Sequence, residues 1–208
     1  MSSAGRGLPA RLRLASVLAI VLAGLCGTMA AWEAFSLARF SELRSARPPL
    51  RFAPDPVLAE QLRVSQLDAL EQMREPRMVV LFALALACSL AFVASNRLLR
   101  PAGVRREDVR RILVWALLGA AVLRTIDGAQ VTAVARHASD VLHHGLRVPP
   151  GVEGAAAEQL GGALAPAAFM AAAILQTVVV AATFLGLSQY FRSARVRASL
   201  EQADGAPR

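Results

Sequence analysis

The stretch MVVLFALALACSLAFVAS, residues 78–95, contains no charged side chain and is followed by Asn96-Arg97. An apolar run of about 18 residues or more is long enough for one α-helix to cross the hydrocarbon core of a bilayer. Three more apolar runs are long enough, at residues 14–32, 112–135 and 164–187, and of these only 112–135 contains charged residues. The pattern therefore predicts an all-α integral membrane protein, a four-helix transmembrane bundle that forms a single membrane domain over residues 1–208.

Arginines are distributed unequally between the segments that flank the four predicted spans. The N-terminus, the loop 96–111 and the tail 192–208 together hold 13 Arg and four acidic residues, a net charge of +9. The loops 33–77 and 136–162 hold nine Arg and ten acidic residues, a net charge of −1. Because segments rich in Arg stay in the cytoplasm, the first group is predicted to be cytoplasmic, with both termini inside, and the second to be outer loops.

The basic composition also bears on origin and partners. All 23 basic residues are Arg, and Ala, Gly and Pro are abundant, which is typical of a GC-rich bacterial genome. We therefore expect a bacterial cytoplasmic (inner) membrane. The net charge of +8 does not predict nucleic-acid binding, because the arginines flank apolar runs instead of forming a stripe with aromatic residues. The expected partner is the lipid bilayer, with a homo-oligomer or a second membrane protein also possible.

The first apolar run allows a second interpretation, as a cleaved secretory signal peptide. Thr28-Met29-Ala30 resembles a cleavage site. The run 14–32 is nevertheless longer than the apolar core of a signal peptide, which is usually about 7–15 residues. We expect an uncleaved helix, and cleavage near Ala31 is the alternative.

The first outer loop is expected to contain an extra amphipathic helix. Asp55 is a suitable N-cap and Pro56 suits the first turn, and a helical pattern of apolar and charged residues follows as far as Glu75. Such a helix would lie over the outer ends of the bundle, or it would bind a partner or a second copy.

Small residues recur every four positions in the first two spans. The rows are Ala15, Ala19, Ala23, Gly27 and Ala31 in the first, and Ala83, Ala87, Ala91 and Ser95 in the second. Small side chains at this spacing let two helix backbones approach closely in lipid. We expect these two helices to pack against each other within the chain, with oligomerisation as the alternative.

The third span contains two charged residues, Arg124 and Asp127. At positions i and i+3 of a helix the two side chains can reach each other. Each charge alone would cost about 2.5–3.5 kcal/mol at the centre of a membrane helix, so we expect both to face the bundle interior.

The helical projection places them on one face, which consists of Leu117, Ala120, Ala121, Arg124, Asp127, Gly128 and Val131. The pair would hold the bundle together, or it would serve as an ion or proton relay. Gln130, Gln176 and Thr177 are candidates for the same polar interior.

The histidines of the chain all lie in the second outer loop. If the third helix continues outward, His137, Asp140 and His144 share one face, and imidazole and carboxylate are ligands of zinc. The segment lacks an obvious fourth ligand and matches no metalloprotease pattern, so the prediction is a solvated helix extension with no bound metal.

No motif for a reaction or a cofactor is present. The sequence has no nucleophile constellation and no spaced carboxylate pair, and the absence of Lys excludes a Walker-type phosphate loop and a Schiff base. We therefore expect no enzymatic activity and no cofactor. The expected function is that of a non-catalytic complex subunit or accessory protein. The alternative is a small-solute or ion- or proton-coupled transporter that acts as an oligomer through Arg124 and Asp127.

Overall fold

The structure is a computed structural model, and it is helical throughout nearly all of the residues that it describes. These residues are 9–45, 64, 67–68, 70–100, 105–145 and 155–204, with the backbone alone at 43, 135, 137–145, 155–169 and 203–204.

Four long helices follow the four apolar runs of the sequence. They are α1 (Ala10–Ala38), α3 (Arg74–Leu99), α4 (Arg106–Gly145) and α5 (Ala155–Arg192). Each contains a stretch that is long and apolar enough to cross a membrane. The prediction of four such helices is confirmed, and each helix extends beyond the run that predicted it.

Two short helices complete the described fold. Helix α2 (Phe40–Ser45) follows α1, and α6 (Ala194–Asp204) follows α5. Ser193 separates α5 from α6, and its hydroxyl accepts a hydrogen bond from the backbone N–H of Val196 at 3.5 Å, as an N-cap residue does. The sequence analysis did not predict α6, because it is short and mostly polar.

The predicted helix of the first outer loop lies largely outside the described residues. Within its range Val64, residues 67–68 and residues 70–72 are helical, and α3 begins at Arg74. Pro76 is tolerated in α3 because the first turn of a helix has no intrahelical acceptor for its backbone N–H groups.

The contacts of the chain divide into two compact units, to which each long helix contributes. Unit 1 comprises Met1–Glu33, Leu81–Arg124 and Val179–Arg208, and unit 2 comprises Ala34–Val80 and Thr125–Val178.

In unit 1, α1 and α3 pack closely through small residues. A Cβ atom added to Gly27 would lie 3.0 Å from the Cβ of Cys88, and one added to Gly24 would lie 3.7 Å from the ring of Phe92. Ala19 and Ala23 are buried on the same side of α1. The predicted contact between these two helices is therefore confirmed, although Ala31, which we placed in the same row, is exposed.

Unit 1 also holds the first part of α4 against the end of α5 and against α6. The hydroxyl of Ser188 on α5 donates to the backbone carbonyl of Val114 on α4 at 3.1 Å. Apart from Arg110, the other buried side chains of these elements are apolar, and they include Leu113, Leu117, Phe184, Leu187, Phe191, Val196 and Leu200. Helix α6 contributes Val196 and Leu200 to this set, and these two residues attach it to the rest of unit 1.

Most of the apolar surface of the four long helices is exposed. In the most apolar 18-residue stretch of each helix, the buried share of the residues is only 22% in α1, 33% in α3, 33% in α4 and 11% in α5. Large side chains such as Leu14, Trp32, Val79, Trp115 and Leu175 are more than half exposed. Soluble monomers rarely expose contiguous apolar surface on this scale, which marks a surface that contacts lipid or another protein.

Candidate functional site

A buried ion pair in unit 2 joins the start of α3 to the middle of α4. The Nη2 atom of Arg77 lies 3.4 Å from Oδ1 of Asp127, and the side chains are only 4% and 1% exposed. The two residues are the buried charged side chains described for this unit. Since two charges removed from water are costly unless they compensate each other, their positions must be tightly specified by the fold.

Local structure places both partners. Arg77 lies in the first turns of α3, where its backbone N–H donates to the carbonyl of Met73 at 3.0 Å. Asp127 lies on the face of α4 that the sequence analysis predicted to be turned inward. The predicted face is confirmed, because Leu117, Ala120, Ala121, Asp127 and Gly128 are all buried, while Arg124 and Val131 are half-buried.

The pairing with Arg77 was missed by the sequence analysis, which counted this residue among the charges of the first outer loop. The predicted partner, Arg124, lies at the end of its segment of unit 1 and is half-buried. Its coupling to Asp127 stays a prediction. A signal for Arg77 did exist: it directly precedes the second span on the predicted outer side, and Asp127 lies in the half of the third span, residues 112–135, that is nearer the predicted outer side.

Next to Asp127, the backbone of α4 approaches α5 very closely. A Cβ atom added to Gly128 would overlap the Cγ2 methyl of Thr177, and it would lie 2.8 Å from Oγ1 and 3.0 Å from Cβ of the same residue. Only glycine fits here without a shift of one helix. Because Gly128 follows Asp127 directly, this close contact fixes the position of α5 in unit 2 beside the buried carboxylate.

The other polar candidates have different surroundings. The Oε1 atom of Gln130 is buried and has no hydrogen-bond partner among the described residues. Thr177 is half-buried against Gly128, whereas Gln176 is exposed. The expected polar interior therefore includes Thr177 and part of Gln130, and the expectation for Gln176 was wrong.

In unit 2, Arg74 stabilises the C-terminal end of α1. Its Nε donates to the carbonyl of Leu37 at 3.0 Å and its Nη2 to that of Ala38 at 3.2 Å. Its guanidinium also lies 5.8 Å from the centre of the ring of Phe40. The last carbonyls of a helix have no intrahelical donors, and a cation there also interacts favourably with the helix dipole.

In unit 1, Arg110 has the same role at the end of α5. Its Nη1 donates to the carbonyl of Phe191 at 2.8 Å, while Nε and Nη2 bind the two carboxylate oxygens of Glu107 at 2.7 and 2.6 Å. Arg111 donates to the same carboxylate at 3.2 Å. A two-point Arg–carboxylate contact is among the stronger and more specific ion pairs, so Arg110 locks α4 to the end of α5.

The predicted histidine segment is helical, since α4 continues to Gly145. The side chains of His137, Asp140 and His144 lie outside the described residues, so the expectation that they bind no metal stays a prediction. Among the side chains that the structure describes, no group of three His, Cys, Asp or Glu is placed to hold a metal ion.

The arrangement in unit 2 is suited to fixing helices and to holding a charge, and the side chains described for this unit include no nucleophile beside a base. The contact of Arg77 with Asp127 joins the start of α3 to the middle of α4, and the contact of Gly128 with Thr177 places α5 beside them.

Comparison with known proteins found no match: no protein-family model, no curated protein and no solved structure matches this chain. The functional argument therefore depends on the residues described above.

Proposed function

We propose that this chain is a multi-pass protein of a bacterial cytoplasmic membrane, with both termini inside, that acts as a non-catalytic subunit or accessory protein of a membrane complex. The observation that carries the proposal is the exposed apolar surface along all four long helices. In a bilayer this surface contacts acyl chains, or part of it contacts a second membrane protein. The net charge of +9 against −1 supports the orientation.

The use of the charged residues supports a structural role over a catalytic one. Arg74 and Arg110 bind helix ends, and Asp127 faces Arg77 within the chain. These four charged residues are therefore engaged in internal contacts that hold helices together. A protein that presents its exposed apolar faces to a partner needs this internal rigidity.

Co-purification tests the proposed role. The tagged protein, expressed at its natural level and extracted in a mild detergent, should bring with it a second membrane protein in a fixed ratio. The matched control is the Gly128→Ala variant, which should bring less partner because the packing of α4 against α5 in unit 2 is disturbed. Recovery of the parent protein as a lone species or as a homodimer contradicts the subunit proposal.

One observation favours a second candidate, a small-solute or ion- or proton-coupled transporter acting through Arg124 and Asp127. Asp127 is an ionisable residue that is fully buried in an apolar helix, and such residues often lie on ion or proton pathways. A transporter predicts a flux of protons or ions in proteoliposomes that Asp127→Asn abolishes without loss of folded protein. The accessory role predicts no flux from either protein.

A further inference from the structure

Seven of the nine exposed arginines described for unit 1 form no ion pair with the described acidic residues. They are Arg11, Arg13, Arg97, Arg100, Arg105, Arg192 and Arg195. Two of the nearby carboxylates bind other arginines: Glu107 binds Arg110 and Arg111, and Glu201 binds Arg197. A third, Asp108, is exposed and forms no ion pair with the seven. Among the described side chains of unit 1, these seven arginines thus carry positive charge that no ion pair neutralises, and we call them the arginine belt.

Four residues of the belt, Arg11, Arg13, Arg97 and Arg100, lie at one end of the α1–α3 pair. The contacts of Gly24 with Phe92 and of Gly27 with Cys88 show that α1 and α3 run antiparallel. The N-terminal end of α1 therefore lies at the same end of the pair as the C-terminal end of α3. The arginines at these two helix ends therefore lie at the same height along the α1–α3 pair.

Each of these two helices continues from its arginines into an exposed apolar stripe. On α3 the stripe is Leu86, Leu90 and Val93, and at the same helical spacing it reaches Arg97 and Arg100. On α1 it runs from Arg11 through Leu14, Leu18, Val21 and Leu25. Residues three and four apart lie on one face of a helix, so each stripe is a continuous surface with guanidinium groups at one end.

A ligand for this surface needs a negative headgroup joined to a long apolar chain. Guanidinium groups bind phosphate oxygens in paired hydrogen bonds, and clusters of four to eight Lys or Arg next to a membrane helix are typical of anionic-lipid sites. A neutral lipid would match the stripe but not the charge, and a soluble phosphate would match the charge but not the stripe.

We propose that the arginine belt of unit 1 binds the headgroups of anionic phospholipids, whose acyl chains lie along the exposed faces of α1 and α3. This inference rests on the proposal that the chain spans a membrane. The belt then holds the cytoplasmic end of the bundle at the headgroup level of the inner leaflet. It also makes the affinity for lipid dependent on the lipid charge.

The test is a titration of the full-length protein in a neutral detergent with phosphatidylglycerol or phosphatidylcholine, with bound lipid counted by native mass spectrometry. The parent should bind phosphatidylglycerol at least tenfold more tightly. Each arginine near an anionic surface contributes about fivefold in affinity, so Arg97→Gln with Arg100→Gln should lose roughly 25-fold for this lipid. Arg97→Lys with Arg100→Lys should keep most of it, because the charge remains.

The matched control is Arg39→Gln with Arg136→Gln, which removes two exposed arginines from unit 2 and should change the affinity by less than about twofold. Raising the salt concentration should reduce the preference of the parent, because exposed charges are screened. Excess glycerol 3-phosphate should leave the bound lipid in place. Displacement by this headgroup analogue would show a soluble-phosphate site instead and overturn the lipid assignment.

Equal binding of both lipids by the parent, or equal losses in the unit 1 and unit 2 variants, would also overturn the inference. Failure of the underlying proposal gives a different result. A chain that does not span the membrane would be released from cell membranes by an alkaline wash, whatever its lipid preference in detergent.

Discussion

Asp127→Leu is expected to destabilise the folded protein by about 3–5 kcal/mol, because it leaves a buried guanidinium without the carboxylate that faces it. In the parent the two groups lie 3.4 Å apart and are almost fully shielded from solvent. Arg77→Leu should cost a similar amount for the converse reason. Combining the two changes leaves no single charge buried, so the double variant should be milder than the sum of the single ones.

Unfolding in mixed micelles of increasing sodium dodecyl sulfate content measures these differences, with the folded yield in membranes as a second readout. The control is Arg197→Gln with Glu201→Gln, an exposed pair at 3.0 Å whose loss should change stability by less than about 1 kcal/mol. A second cycle, Arg124→Leu with Asp127→Leu, measures the coupling predicted from the sequence. Single Arg77 and Asp127 variants that unfold like the parent would show that neither side chain supports the bundle.

Gly128→Ala is expected to destabilise the protein by about 1–3 kcal/mol, the usual cost of overpacking a well-packed interior. The added methyl would overlap the β-branched side chain of Thr177, and rotation of that side chain does not help, because its Cβ would still lie 3.0 Å away. Thr177→Ala should recover part of the lost stability, since it removes two of the three clashing atoms.

Gly119→Ala is the matched control, in the same helix and with no atom within 4 Å of the added methyl group. It should leave stability unchanged or raise it by up to about 1 kcal/mol, because Ala favours the helix over Gly. The same micelle unfolding assay compares the two variants. Equal effects of Gly128→Ala and Gly119→Ala would show that the close approach of α5 to Gly128 does not contribute to stability.

The four long helices could be predicted because each contains a contiguous run of apolar side chains. The run at 78–95 needs no knowledge of its neighbours to be interpreted as a membrane-spanning helix. The inward face of α4 was predictable for a related reason, because a charged side chain in a membrane-spanning helix is costly in contact with lipid and is therefore expected to face the bundle interior. The burial of Asp127 followed from that argument.

The partners of the charges could not be predicted, because they depend on how separate helices pack. Arg74, Arg77 and Arg110 look alike in the sequence, as basic residues next to apolar runs, and they entered only the count of charges on each side. In the structure Arg74 binds the end of α1, Arg77 faces Asp127, and Arg110 binds the end of α5. Helix α6 was missed because two buried residues, Val196 and Leu200, are too few to give a periodic signal.

We propose that the chain crosses the membrane four times with both termini in the cytoplasm. Reporter fusions after Arg44, Gly103, Val148 and Arg208 measure it directly. We expect the reporter to lie outside, inside, outside and inside, in that order, on a chain whose N-terminal helix is retained. A cytoplasmic reporter at Arg44, or a mature protein that begins near Ala31, would contradict it.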